Sequence, residues 1–247
     1  MRNLLFLHGI LAALASACVG SGELEAQLSG QVVGDDDRPL GPGLVMVERG
    51  KVHAGAYEGG ALIAQNGKFA VPLPGGGTWG VHLFNDNYSY LPVEVTIDPH
   101  QQVALTNMMV NWGVWMDLTG QPSWPDQPDD ARLVRLPTDD NKADNPVIQN
   151  IQMKYLAGDL FQITADVSDP THDLSRMILA FDEATGAGYA MNPPGPPDAK
   201  GYYPEGTYTL KVYLSDKHVP GKSMWHFVVS DAMCNNTPIR HLPMPAN

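Results

Sequence analysis

The stretch Phe161-Gln162-Ile163-Thr164-Ala165-Asp166-Val167 alternates apolar and polar residues without a break. A period of two puts Phe161, Ile163, Ala165 and Val167 on one face of a β-strand. It leaves Gln162, Thr164 and Asp166 on the other. Such a strand suits an antiparallel sheet with one face packed and one wetted. Residues 207–214 repeat the pattern, with Tyr208, Leu210, Val212 and Leu214 on one side and Thr209, Lys211 and Tyr213 on the other. Further strands are predicted at 147–153, 177–182, 189–191 and 224–230. The loop at 192–201, with four prolines and two glycines, divides them. Residues 147–234 thus read as one β-sandwich, followed by a polar, Pro-rich tail at 235–247.

The same grammar runs through residues 24–118. Short strands are predicted at 28–33, 44–48, 61–64, 68–73, 78–84, 93–97 and 102–110, separated by Gly, Pro, Asn and Asp. Asn66-Gly67 marks a hairpin, because Gly accepts a positive φ. In Thr78–Phe84, Trp79, Val81 and Leu83 share an apolar face and His82 points the other way. No amphipathic helix competes. The fold expected is all-β, two tandem antiparallel sandwiches. Between them, residues 119–146 hold five prolines and six aspartates, a composition that stiffens and extends a linker. Within it, Leu133-Val134-Arg135-Leu136 is an apolar island expected to dock on one domain.

The turns carry resemblances. Gly30-Gln31-Val32-Val33, Asn66-Gly67-Lys68-Phe69 and Leu73-Pro74-Gly75-Gly76-Gly77-Thr78-Trp79 resemble the opening, the D-G-x-F turn and the L-P-x-G-x-Y corner of carboxypeptidase regulatory-like domains. Asn66 stands for the usual Asp, Trp79 for the usual Tyr, and the Gly corner is longer. That family implies a transthyretin-like sandwich and no catalysis. Ala165-Asp166-Val167-Ser168-Asp169-Pro170 and Gly206-Thr207-Tyr208-Thr209-Leu210 loosely resemble bacterial immunoglobulin-like modules. A tyrosine near the start of a late strand could there act as a tyrosine corner.

At the N-terminus, Arg2 precedes an apolar run over 4–14, and Leu14-Ala15-Ser16-Ala17-Cys18 follows. The order is that of a secretory signal, too short to span a bilayer. It resembles the lipobox of bacterial lipoproteins, although Ala15 stands where Leu is usual; Ala15-x-Ala17 would also suit an ordinary signal peptidase. The lipoprotein resemblance implies cleavage after residue 17 and lipidation of Cys18, with an anchor to the cell envelope. Val19 in place of Asp favours the outer membrane where one exists. The spacer 19–27 would hold the first sandwich near the membrane and the second farther out. Cys234 is the one other cysteine, so lipidation of Cys18 would leave it without a disulfide partner, and an unlipidated Cys18 could pair with it.

Function is less legible. The formal charge of −12 argues against nucleic acid as a partner. Metalloprotease, hydrolase-elbow, phosphate-loop, dinucleotide and C-x-x-C motifs are absent from the sequence, so no catalytic residue and no cofactor is assigned. Three binding chemistries stay open. Asp166, Asp169, Asp173 and Asp216 sit in turns that an immunoglobulin-like topology would bring to one end, as oxygen ligands for Ca²⁺. Cys234-x6-His241-x2-Met244 superficially resembles a blue-copper loop, with His226, His218 or His82 to complete it and no strand following Met244. Trp112, Trp115, Trp124, Tyr202 and Tyr203 could form an aromatic surface for a glycan or a protein, as could Tyr88 and Tyr90. The expectation is a non-enzymatic envelope lipoprotein with a structural or protein-binding role. Carbohydrate binding is the alternative, and a calcium or copper protein comes after it.

Overall fold

A computed structural model describes residues 26–33, 39–50, 57–85, 93–97, 102–109, 111–112, 134–135, 145–232 and 235–246. The first unit contains β1 (Ala26–Val33), β2 (Gly43–Arg49), β3 (Tyr57–Ile63), β4 (Lys68–Leu73), β5 (Gly77–Phe84), β6 (Val93–Ile97) and β7 (Gln102–Met109). These form two sheets, ordered β4-β1-β7 and β3-β2-β5-β6. The β1–β7 pair is parallel and every other pair in this unit is antiparallel. Leu28, Val32, Val45, Val47, Phe69, Val71, Trp79, Val81 and Leu83 fill the space between the sheets. The alternation read at Trp79, Val81 and Leu83 is therefore realised. Gly67 sits at φ 75° in the β3–β4 turn, where its amide donates to Ala64 O at 2.8 Å. An L side chain there would be strained, and its Cβ would lie 2.2 Å from Val32 O.

Two short strands, β8 (Asn111–Trp112) and β9 (Val134–Arg135), pair in parallel. The apolar island of the expected linker thus contributes a strand residue pair.

The second unit contains β10 (Val147–Ala157), β11 (Leu160–Ser168), β12 (Leu174–Asp182), β13 (Ala187–Ala190), β14 (Gly206–Tyr213), β15 (Met224–Asp231) and β16 (Arg240–Pro243). Its sheets are β10-β11-β14 and β13-β12-β15-β16, with antiparallel neighbours throughout. The chain changes sheet after β11, after β13 and after β14, so sequence-distant strands close one core. Phe161, Ile163, Ala165 and Val167 are buried in it with Tyr208, Leu210, Val212, Trp225, Phe227 and Val229, as the alternation requires. Tyr208 donates its hydroxyl to Pro204 O at 2.9 Å, tying the start of β14 to the loop before it. Burial of that ring raises its phenol pKa.

Three expectations change. The first sandwich is not antiparallel throughout: β7 crosses over from the sheet that holds β6 and enters beside β1 in the same direction. The segment read as a polar tail forms β16 on the open edge of β15. Met244 behind it is buried in the second core. The two units are also not merely tandem. Sheet β3-β2-β5-β6 lies against sheet β13-β12-β15-β16, and Leu44, Met46, Phe84, Leu179, Phe181, Val228 and Ile239 form a third apolar core between them. The four larger sheets therefore stack in four layers. The two inner sheets are packed on both faces, which explains why Leu44 to Val47 and Ile178 to Phe181 are buried without alternation.

Candidate functional site

The joint between the units is built for close approach. The Gly60 amide donates to Gly186 O at 3.0 Å, and Asn236 Nδ2 donates to Asn85 O at 3.2 Å, each bond crossing between units. A Cβ at Gly60 would lie 2.6 Å from Val45 O and 2.9 Å from Met46 Sδ of the neighbouring β2, and 3.1 Å from Phe181 Cδ2 across the joint, so glycine serves the pairing of β3 with β2 first and the approach to β12 second. His82, read as turned away from the first core, faces this side of its sheet. Its Nε2 meets Glu48 Oε1 at 2.8 Å, with both side chains 1% exposed. A polar pair inside an apolar joint fixes register more than it adds stability.

The carboxylates proposed for calcium divide into three places. Asp169 and Asp173 do meet, in the turn between β11 and β12, and Asp231 at the end of β15 joins them. One oxygen from each lies within 4.8 Å of the others. Asp231 arrives through register, because it pairs with Leu174 across β12–β15 and Ala232 N donates to Asp173 O at 2.9 Å. Nothing local in Ser230-Asp231 announces this, so sequence reasoning missed it. Asp166 points from the other sheet and accepts from Thr207 Oγ1 at 2.7 Å and Asn150 Nδ2 at 3.0 Å. Those donors hold its pKa below the usual carboxylate value. Asp216 is excluded by topology. It follows β14, whose end pairs with the start of β11 (Tyr213 with Leu160), whereas Asp169 follows the other end of β11. The two aspartates lie at opposite ends of the sandwich, so the four-aspartate set is corrected.

The remaining triad is held by donors of its own. Asp169 accepts from the Thr171 amide (3.3 Å) and hydroxyl (3.0 Å) and from the Asp173 amide (2.9 Å). The Thr171 hydroxyl also reaches Asp173. Asp231 accepts from Asn235 N at 2.8 Å and Asn235 Nδ2 at 2.7 Å. Burial, reinforced by the charges of Asp173 and Asp169, pushes Asp231 up to about 7. Burial first, and then Asp169, raises Asp173 as well. Three carboxylates this close cannot all ionise without repulsion, and a proton on Asp231 relieves it.

The copper set does not assemble. His241 lies in β16 opposite His226 of β15, on the joint side of the sheet. Met244, three residues on, is buried on the opposite side among the second-core residues. His218 is engaged elsewhere, with Asp182 Oδ2 at 2.7 Å. Cys234 lies outside the described residues, as do Cys18, Trp115, Trp124, Tyr88 and Tyr90.

The described aromatics do not form a platform. Tyr203 turns inward, packing on the second core with its amide on Leu174 O at 2.9 Å. Its neighbour Tyr202 stays in the loop, with Lys200 Nζ 5.9 Å from its ring centroid. Trp112 falls within β8, but its side chain is outside the described set.

No protein-family model matches the chain. No curated protein matches it either. Among solved structures, a candidate carbohydrate binding protein from Bacteroides uniformis is similar over 89% of this chain and 99% of its own, at 12% identity and a TM-score of 0.27. The streptococcal ancillary pilin is similar over 92% of this chain and 60% of its own, at 12% identity and a TM-score of 0.30. BcpA, the major pilin subunit of Bacillus cereus, is similar over 89% of this chain and 69% of its own, at 6% identity and a TM-score of 0.29. Likenesses of this size carry no argument about what the chain does.

Proposed function

We propose that the chain is a non-enzymatic lipoprotein of the bacterial cell envelope, anchored through Cys18, with a structural or protein-binding role. The observation that carries the reading is the third core. Two β units pack face to face through Leu44, Met46, Phe84, Leu179, Phe181, Val228 and Ile239, a joint that would hold them as one body. A rigid body on a short lipidated spacer suits display at a surface. The protein's ligand surface is assigned to the loops of the second unit, farther from the anchor.

Mass spectrometry of the envelope fraction tests the anchor. The expected N-terminus is Cys18 carrying a diacylglyceryl thioether and an amide-linked acyl chain; an unacylated mature chain rejects it. Crosslinking in intact cells followed by a glycan array tests the role. A recurrent protein neighbour supports the proposal, whereas selective capture of a glycan replaces it with the carbohydrate reading.

A further inference from the structure

The β15–β16 register sets His226 directly opposite His241. Their Nδ1 atoms are 2.6 Å apart, with the rings edge to face at 77°. The second nitrogen of His226, Nε2, lies 2.9 Å from Glu183 Oε2. A carboxylate only accepts, so Nε2 carries a proton and His226 presents its Nδ1 lone pair to His241. That is the arrangement in which an outer carboxylate fixes the tautomer of a metal-binding imidazole. The His226 side chain is 4% exposed and packs at 5.7 Å from the Phe181 ring, so it cannot turn away easily. His241, in contrast, is exposed on the edge strand, which leaves solvent access for an incoming ion and its remaining water ligands.

We propose that His226 and His241 form a two-imidazole site for a borderline divalent transition metal such as Zn²⁺, with Glu183 as the outer positioning residue. Imidazole suits zinc, nickel and copper and discriminates against calcium and magnesium. Tetrahedral zinc with bonds of about 2.0–2.1 Å sets two nitrogens roughly 3.3–3.4 Å apart, so the pair must open slightly. The exposed edge position of His241 permits that movement and the buried ring of His226 does not need to make it. The site shares no residue with the Asp169–Asp173–Asp231 cluster, and it does not depend on lipidation at Cys18.

Titration calorimetry of the full-length chain with Zn²⁺ tests the proposal. One saturable site is expected. His241→Ala, at an exposed position that leaves the cores intact, should weaken binding at least tenfold. Glu183→Gln should weaken it about 10–100-fold, as loss of an outer-sphere carboxylate does. A Zn²⁺-dependent shift of the His226 Nδ1 resonance, read by imidazole ¹⁵N spectroscopy, is the signature a purely structural histidine would not give. Absence of Zn²⁺ binding by the parent chain overturns the proposal: the pair would then simply share a proton. Unchanged affinity in His241→Ala overturns it equally. So does a loss of binding that follows Asp231→Asn and spares His241→Ala, because the metal would then sit on the carboxylates.

Discussion

At the scale of single residues, Asp231 has the sharpest consequence. Its pKa is about 7 in the folded chain against 3.8 for a free side chain. Between those values the folded protein holds a proton that the unfolded protein has released. Stability therefore falls as pH rises from about 4 to about 7 through this group. Asp173, raised in the same direction, adds to the slope. Asp231→Asn keeps the shape and removes the charge. It should stabilise the protein at pH 8 by an amount on the order of a few kcal/mol and change little at pH 4. Denaturant midpoints at the two pH values check this; a variant less stable than the parent at pH 8 would rule it out. Asp231 also shows where residue-level legibility stops. Asp169 and Asp173 were found because they share a turn, whereas Asp231 enters through a cross-strand pairing 57 positions from Leu174. Asp216 falls at the far end of the sandwich for the mirror reason: short-range turn chemistry says nothing about which end of a strand faces which.

At the scale of elements, parity carried most of the information. Strands β11 and β14 alternate, and their buried residues are those the alternation selects. The inner strands β2, β12 and β15 do not alternate. Their runs, Leu44-Val45-Met46-Val47 and Trp225-His226-Phe227-Val228-Val229, already hinted at burial on both faces. Strand β16 was illegible because Arg240-His241-Leu242-Pro243 is short, polar and ends in proline, all of which suit an edge and none of which demands one. Gly60 sits where β3 meets both its sheet neighbour β2 and the second unit. Gly60→Ala places a methyl against the Val45 carbonyl and the Met46 and Phe181 side chains. Overpacking of this kind should cost about 1–3 kcal/mol. Thermal melts check it, and a midpoint equal to the parent's would show that the strands separate more freely than the contacts imply.

At the scale of the whole molecule, the third core decides how the two units behave together. A Pro/Asp-rich linker alone would leave two sandwiches melting independently and moving about one another. The joint instead buries Leu44, Met46 and Phe84 of one unit against Leu179, Phe181, Val228 and Ile239 of the other, with two backbone-directed hydrogen bonds across it. The parent chain should therefore unfold in a single calorimetric transition. Leu179 is the discriminating position. It is fully buried, yet it belongs to the joint and not to the second core. In a separated unit, Leu179→Asp would project its carboxylate from the outer face of sheet β13-β12-β15-β16 into water, at little cost. In the joined molecule the same carboxylate is desolvated without a partner, which costs several kcal/mol. The variant should keep both sandwiches but split the single transition into two, and small-angle scattering should show a larger radius of gyration. If Leu179→Asp still melts in one step at the parent's temperature, the joint does not couple the units, and rigid display would lose its physical basis.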